Sequence, residues 1–281
     1  MKVRKVKRVV SGQPATDGAG VELVRVIGQP ALMDLDPFLL LDAFRSDDPD
    51  DYIAGFPAHP HRGFETVTYL LNGRMRHRDN AGNEGVIEPG GIQWMTAGKG
   101  IVHSEMPEQQ DGLLEGFQLW INLPAAHKMT APAYQEYGQA NIPTESREGA
   151  EIRVITGTTT QGTQGPVKQP LTDPLYLDVT LAPGAGFTEA IDDDHTAFLY
   201  VIDGVISVED ENGDPLQLRR DQLAVLGTGD SIQLHAADAS ARLLLIAGRP
   251  LNEPVARGGP FVMNTADEVR QAFSDYQRGD F

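Results

Sequence analysis

Cysteine is absent from this chain, and its absence narrows the available chemistry. With no Cys among 281 residues, disulfides, thiolate nucleophiles and cysteine-ligated metals are all excluded. A bound metal ion, if there is one, must therefore be held by histidine and carboxylate side chains.

Basic residues are also scarce. The chain has 23 Lys and Arg against 40 Asp and Glu, which gives a formal net charge of −17. A nucleic acid would meet a repulsive surface and gain little from counterion release. The basic cluster at residues 2–8 nearly alternates with valines, which is typical of an edge strand with charged faces. We therefore expect no direct nucleic-acid binding.

Long apolar runs are missing as well. No stretch approaches the roughly 20 apolar residues that a membrane-spanning helix needs. The charged N-terminus is not followed by the apolar core of a signal peptide. The expectation is a cytoplasmic protein that does not enter a membrane, with a monomer as the default state.

Glycine and proline, by contrast, are plentiful, at 30 and 19 residues. Each short strand needs a turn to reverse it, so this composition favours an all-β fold. Val67, Tyr69 and Leu71 alternate before Asn72-Gly73, as in a strand that enters a hairpin. The length exceeds one typical domain. We predict two β domains, residues 1–135 and 136–281, with the link in the proline-rich stretch near residues 122–143.

The end of the chain has a different pattern. Thr265 and Glu268 form a capping box, and apolar residues from Val269 to Tyr276 recur at helical spacing. The second domain is therefore predicted to end in a short amphipathic helix.

Two pairs of candidate metal ligands stand in the first half, His59 with His61 and His103 with Glu105. The members of each pair are separated by one residue, and alternate side chains of a strand point to the same face. A barrel or sandwich could bring the two pairs face to face. Imidazole and carboxylate ligands suit Fe, Mn, Co, Ni, Cu or Zn. An octahedral ion would keep two positions open for water, dioxygen or substrate.

The residues around these pairs resemble a known family. They read H-P-H-R-G-F-E-T-V-T-Y-L-L-N-G at 59–73 and Q-W-M-T-A-G-K-G-I-V-H-S-E at 93–105. The ligand arrangement resembles the cupin superfamily, and the sequence is similar to that of the pirin family over nearly the whole chain. The resemblance implies a bicupin, with two antiparallel β-barrel (jelly-roll) domains and metal only in the N-terminal one. It also implies that Glu105 is the carboxylate ligand, whereas Glu65 stands in the usual cupin position and is a neighbour.

The second half reads as a diverged copy of the first. The segment F-L-Y-V-I-D-G-V-I at 198–206 parallels T-Y-L-L-N-G-R-M at 68–75. A gap-free comparison sets four residues opposite the four ligands: Ala190, Asp192, Gln233 and His235. The second domain is therefore predicted to lack the ligand set, and His195 and His235 are assigned structural roles.

The family resemblance implies a flavonol dioxygenase activity of the quercetin 2,3-dioxygenase type. The substrates would be a planar phenolic compound and dioxygen, and the central ring would open with loss of carbon monoxide. Fe(II) is the expected ion, with Ni, Cu, Zn, Co or Mn as alternatives because ligands alone do not select among them. Glu105 is the hypothesised catalytic base.

Other residues near the two pairs could form the substrate pocket. Apolar candidates are Phe56, Trp94 and Met95, and polar candidates are Arg62, Arg76, His77, Arg78 and Lys99. For each apolar candidate, core packing is an equally good reading, and no polar candidate is singled out.

Two other functions remain open. The same four ligands could serve a metal-sensing interaction protein, in which the redox state of Fe changes a surface recognised by a protein partner. A zinc-type cupin isomerase acting on sugar phosphates fits less well, because no concentrated set of cationic residues accompanies the ligands.

Overall fold

The computed structural model describes residues 2–281, and strands dominate it. The first twelve strands in chain order are β1 (Val6–Ser11), β2 (Gln13–Asp17), β3 (Val21–Ile27), β4 (Phe38–Ser46), β5 (Phe56–His61), β6 (Phe64–Asn72), β7 (Met75–Asp79), β8 (Glu84–Ile87), β9 (Ile92–Thr96), β10 (Ile101–Pro107), β11 (Leu114–Asn122) and β12 (Ala133–Tyr137). The later twelve are β13 (Thr144–Arg147), β14 (Ala150–Thr156), β15 (Leu175–Leu181), β16 (Gly186–Ala190), β17 (Thr196–Asp203), β18 (Val205–Glu209), β19 (Pro215–Arg219), β20 (Gln222–Leu226), β21 (Ser231–Ala236), β22 (Ala241–Gly248), β23 (Ala256–Gly258) and β24 (Phe261–Met263). Three short 3₁₀ helices (Pro49–Asp51, Ala125–His127, Gln139–Asn141) and α1 (Ala266–Arg278) complete the fold.

Contacts along the chain group it into two compact units. The N-terminal unit comprises Pro14–Gly28, Met33–Gln139 and Leu251–Phe281, and the C-terminal unit comprises the segment up to Gln13, Gln29–Leu32 and Ala140–Pro250. The predicted division assumed two continuous stretches, whereas here each end of the chain joins the unit of the opposite half. The reason is local pairing, because β1 hydrogen-bonds to β20 and Asp275 of α1 binds Arg62 at 2.6 Å.

Two antiparallel sheets form the N-terminal unit. The seven-stranded sheet has the order β12-β9-β6-β11-β4-β3-β2, and the four-stranded sheet has the order β5-β10-β7-β8. Phe44 and Leu70 of the larger sheet share one buried cluster with Met75 and Ile87 of the smaller. Each such side chain contributes roughly 1.5–3 kcal/mol by leaving water. The shared core shows that the two sheets pack face to face, as in a jelly roll.

The C-terminal unit has the same plan. Its sheets have the orders β1-β20-β17-β22-β15-β14-β13 and β16-β21-β18-β19, which correspond strand for strand to those of the N-terminal unit. Leu199 and Leu243 of the larger sheet are buried with Phe187 and Leu218 of the smaller. The prediction of an all-β protein with two jelly-roll domains is therefore confirmed, although the sheets are open sandwiches and not closed barrels.

The predicted C-terminal helix is present as α1. The Thr265 hydroxyl accepts a hydrogen bond from the backbone N–H of Glu268, and the Glu268 carboxylate accepts one from the backbone N–H of Thr265. Val269 and Ala272 are buried, and Gly279 ends the helix with φ at +78°, a conformation that glycine adopts without strain. Across residues 2–281, no helix has the length and apolar character needed to span a membrane.

A buried lysine supports the turn that follows the first histidine pair. Lys128 is 1% exposed, and its ammonium donates to the Gly63 carbonyl at 2.7 Å, to Asn122 Oδ1 at 2.6 Å and to the Val262 carbonyl at 2.9 Å. Burial lowers the pKa of Lys128 to about 8. The three acceptors satisfy its donors, but the charge is still costly to bury.

This lysine predicts an unusual dependence of stability on pH. Between pH 8 and about 10.4, the unfolded chain keeps the Lys128 proton that the folded protein releases, so the free energy of unfolding rises with pH. The gain is up to about 3 kcal/mol. Urea unfolding of metal-free protein at pH 7.5 and pH 10 measures it, with Lys128→Met as the control that lacks the titrating group. An identical pH dependence of the unfolding free energy in both proteins would show that burial does not lower the pKa of Lys128.

Candidate metal centre

The first histidine pair and His103 lie on neighbouring strands of the four-stranded sheet. His59 and His61 are on β5, and His103 is on β10, where it is the direct antiparallel partner of His59. The two ligand pairs therefore stand side by side in one sheet and not face to face. Direct pairing of β5 with β10 sets this spacing, because adjacent strands lie about 4.8 Å apart.

The three imidazoles converge. Their nearest ring nitrogens all lie within 4.8 Å of one another, and the Nε2 atoms of His59 and His61 are 3.0 Å apart. The ring centroid of His103 is 4.5 Å from that of His59 and 5.0 Å from that of His61. The structure thus brings together the three histidines that the sequence singled out.

Burial keeps two of these rings neutral. His61 is 3% exposed and His103 is 1% exposed. Burial, and then the neighbouring imidazoles, hold the pKa of both rings well below its usual range. Neutral imidazoles have the free lone pairs that metal coordination requires.

The hydrogen bonding of the rings also fits a cation. Neither ring nitrogen of His103 has a hydrogen-bond partner within residues 2–281, and an unsatisfied buried polar atom costs about 1–3 kcal/mol. His59 Nδ1 lies 2.8 Å from the Pro57 carbonyl, so as a donor there it leaves the Nε2 lone pair free. The 3.0 Å spacing between His59 and His61 also matches two neighbouring ligands at about 2.1 Å from one ion. The donor set therefore suits a divalent transition metal.

Glu105, the fourth predicted ligand, is held slightly apart. The register of β10 against β5 shifts between the pairs His103–His59 and Glu105–Phe56, and Glu105 is 2% exposed. Its Oε1 accepts a hydrogen bond from Thr68 Oγ1 at 2.7 Å, and its Oε2 accepts one from Gln118 Nε2 at 2.8 Å. Thr68 and Gln118 are register partners on β6 and β11 of the larger sheet. The carboxylate consequently reaches across the sandwich, and the close group of ring nitrogens does not include it.

The other glutamate of the first motif has a different environment. Glu65 lies on β6, is fully buried, and accepts a hydrogen bond from Thr96 Oγ1 at 2.6 Å. It also lies outside the group of three imidazoles.

A pocket of about 590 Å³ opens beside the imidazoles, within the size range of small-molecule sites. His59, His61 and Glu105 contribute to its wall. Its apolar lining includes Leu23, Leu40, Phe44, Phe56 and Trp120, and its polar lining includes Asp17, Arg25, Asp42, Gln118 and Arg257. A flat, partly polar molecule could therefore contact the histidines and the carboxylate together.

Most of the pocket residues predicted from the sequence lie outside the pocket wall. Phe56 lines the pocket, but Trp94 and Met95 are 1% and 0% exposed and belong to the core. Most of the predicted polar residues bind carboxylates elsewhere, as in the pairs Arg62–Asp275, Arg76–Glu84, His77–Glu136 and Arg78–Glu84.

Trp120 and Gln118 were not among the predicted pocket residues. The Trp120 ring lies edge-on to His61 with centroids 5.2 Å apart, and the Arg257 guanidinium lies over the same indole at 4.8 Å. Gln118 and Trp120 are two residues apart and lie on the same face of β11. Their spacing in the sequence could therefore have indicated that both face the pocket. Arg257 lies far along the chain and had no such signal.

The C-terminal unit offers a direct comparison, because β16 and β21 occupy the places of β5 and β10. With Gln233 kept opposite His103, the register puts Thr188 and Ala190 opposite His59 and His61. The gap-free comparison, which used Ala190 and Asp192, was therefore wrong by two residues on this strand. The prediction that the second domain lacks the ligand set is unaffected, because Thr188, Ala190 and Gln233 stand opposite the three histidines.

Comparisons with known proteins agree with this architecture. The family model described as Pirin matches residues 20–121, and the model described as Pirin C-terminal cupin domain matches residues 176–281. A "Pirin-like protein" of Caulobacter vibrioides is 54% identical over the whole of both chains. A Pseudomonas aeruginosa protein named "Putative quercetin 2,3-dioxygenase" is 48% identical over 98% of this chain and 97% of its own.

Among solved structures, a quercetin 2,3-dioxygenase from Acinetobacter baumannii superposes with a TM-score of 0.90. It is 33% identical, and the match covers 99% of this chain and 98% of that one. The matches to both halves of the sequence and the strand order within each unit lead to one conclusion: the chain belongs to the pirin family and is built from two cupin domains.

Proposed function

We propose that the protein is a metal-dependent dioxygenase of the pirin type, which opens the central ring of flavonols such as quercetin with dioxygen. One observation carries the proposal: three imidazoles converge, two of them buried and one of these with both ring nitrogens unpartnered, and His59 and His61 line a pocket of small-molecule size. The names of a 48% identical relative and of a structural neighbour support the same reaction class.

The proposed ligands are His59, His61, His103 and Glu105, with Fe(II) as the expected ion. When bound, the ion supplies Lewis-acid and redox chemistry for the reaction of a phenol with dioxygen. The three imidazoles already converge, whereas the Glu105 carboxylate must turn from Thr68 or Gln118 to join them. Breaking one of its two hydrogen bonds would free an oxygen for the ion.

The pocket walls would orient the substrate. Phe44, Phe56 and Trp120 present aromatic surfaces, against which a planar ring system can pack while water is excluded. Arg25 holds Asp42 through two hydrogen bonds of 2.9 and 2.7 Å and also binds Asp17 at 2.7 Å. The carboxylates held in this way are acceptors suited to the hydroxyl groups of a polyphenol.

Glu105 is the proposed general base. Its carboxylate lines the pocket and is oriented by Thr68 and Gln118, which fix both oxygens. A carboxylate within hydrogen-bond reach can accept the proton of a substrate hydroxyl. The same geometry argues against a purely regulatory role, because recognition of a surface by a protein partner does not require an internal pocket.

The proposed reaction can be tested directly. Metal-free protein is reconstituted anaerobically with Fe(II), and in parallel with Mn, Co, Ni, Cu or Zn, and is then mixed with quercetin and dioxygen. We expect one dioxygen consumed and one carbon monoxide released for each flavonol, with at least one of these ions. Rates no higher than those of the free ions, for all six metals, would overturn the proposal.

A further inference from the structure

The C-terminal unit contains a second group of candidate ligands: Asp173, Asp192 and His195. The sheet brings them together, because β15 and β17 flank β22 and run parallel to each other. Leu175 pairs with Ala247 and Thr196 pairs with Gly248, so both strands begin at the same end of the sheet. Asp173 lies just before β15, and Asp192 and His195 lie just before β17.

His195 is buried but has no partner for one of its nitrogens. It is 6% exposed, and Nε2 has no hydrogen-bond partner within the described part of the chain. The same atom lies 3.8 Å from Asp192 Oδ2 and 3.8 Å from Asp194 Oδ1, which is too far for a hydrogen bond. The nitrogen therefore faces two carboxylates without a hydrogen bond to either.

We propose that this cluster binds a divalent transition-metal ion, such as Zn²⁺ or Co²⁺, through His195 Nε2 and the carboxylates of Asp173 and Asp192. The site is separate from the three imidazoles of the N-terminal unit and does not depend on flavonol turnover. It gives His195 a function in place of the structural role that its position in the sequence suggested.

The distances allow such an ion. The three ligand atoms lie within 4.8 Å of one another, and two ligands at about 2.1 Å from one ion can be up to about 4.2 Å apart. The side chains of Asp173 and Asp192 are 53% and 70% exposed, so they can move the remaining few tenths of an ångström. Asp194, 64% exposed, can supply a fourth oxygen.

The local charge favours a cation. Asp192, Asp193 and Asp194 are consecutive, and Asp173 brings a fourth carboxylate, against the two guanidiniums of Arg4 and Arg249. Arg4 donates to the backbone carbonyls of His195 and Asp192 and leaves their side chains free.

Arg249 is the resident competitor for the ion. Its Nη2 lies 3.2 Å from Asp173, and its Nε lies 3.9 Å from Asp194. Because one ligand is an imidazole, the site suits transition ions better than Ca²⁺, which prefers oxygen ligands alone.

The decisive experiment counts and locates bound ions. The full chain is prepared with His59, His61 and His103 all replaced by alanine, checked for folding by circular dichroism, and titrated with Zn²⁺ by calorimetry. We expect one ion per chain in this protein and two in the wild type, with an increase of a few degrees in Tm on binding. Co²⁺ should give visible absorption bands that report its coordination.

Variants in the same background identify the ligands. His195→Ala should weaken Zn²⁺ binding by at least about 10-fold and abolish the Co²⁺ bands. Asp192→Asn tests the site at an exposed position that leaves the core intact, and should have a similar effect. His235→Ala, at an exposed histidine of the same unit, should bind like its parent. Arg249→Gln should bind more tightly, because the competing guanidinium is gone.

Several results would overturn the proposal. One is a triple variant that binds no Zn²⁺, and another is binding that His195→Ala and Asp192→Asn leave unchanged. A third is an equal response to Ca²⁺ and Zn²⁺, which would indicate only a diffuse acidic surface.

Discussion

Replacing His103 by alanine is expected to weaken metal binding by more than about 100-fold and to reduce flavonol turnover in proportion to the metal lost. Loss of groups that merely orient a ligand costs 10–100-fold in affinity or activity, and His103 is itself a proposed ligand. Its ring nitrogens have no other partner among residues 2–281, so the side chain has no competing polar role. Metal analysis after dialysis, together with oxygen uptake, measures both effects.

A matched control separates ligand loss from damage to the fold. His127 is exposed on a 3₁₀ helix of the same unit, and His127→Ala should keep full metal content and turnover. His103→Ala should lose less stability, as metal-free protein, than an ordinary core truncation such as Phe64→Ala, because it also removes unsatisfied buried atoms. A His103→Ala protein that keeps a full equivalent of metal would remove this residue from the site.

Replacing Glu105 by glutamine is expected to lower kcat by about 100-fold to 10,000-fold while leaving most of the metal in place. The change keeps the size of the side chain but removes the base, whose proposed role is worth that range. Three imidazoles remain to hold the ion. The metal content of Glu105→Gln tests whether the ion stays bound. Its kcat and the pH dependence of its turnover test whether the base is lost.

Neighbouring variants show whether the orientation of Glu105 matters. Thr68→Val and Gln118→Leu each remove one of the two hydrogen bonds to the carboxylate. Each should reduce kcat by about 10–100-fold. Unchanged turnover and an unchanged pH profile in Glu105→Gln would rule out its role as the base.

Much of the site could be predicted because strand geometry is local. A spacing of two residues places His59 and His61 on one face of any extended strand, whatever surrounds it. That they meet His103 depends on the pairing of β5 with β10, which spans about forty residues. The family resemblance, and not the spacing, supplied the shared ligand set and the choice of Glu105 over Glu65, and the direct pairing of the two strands was not predicted.

The rest of the site depends on contacts between distant segments. Thr68 and Gln118 reach Glu105 only because the larger sheet packs over the smaller one. The alternation of side chains along a strand shows which residues share a face, but not which residues of the opposite sheet they contact. Arg257 joins the pocket wall because the last segment of the chain packs in the N-terminal unit. For the same reason, the predicted domain limits did not anticipate the grouping of the two chain ends.

The central claim is that one ion, held by His59, His61, His103 and Glu105, faces the pocket and takes part in substrate binding. An anaerobic titration of quercetin into metal-loaded and metal-free protein tests it most directly. We expect tight binding with a new absorption band of the bound phenolate in the loaded protein, and binding at least about 10-fold weaker, without that band, in the metal-free protein. Equal affinity and identical spectra in the two proteins would contradict the claim.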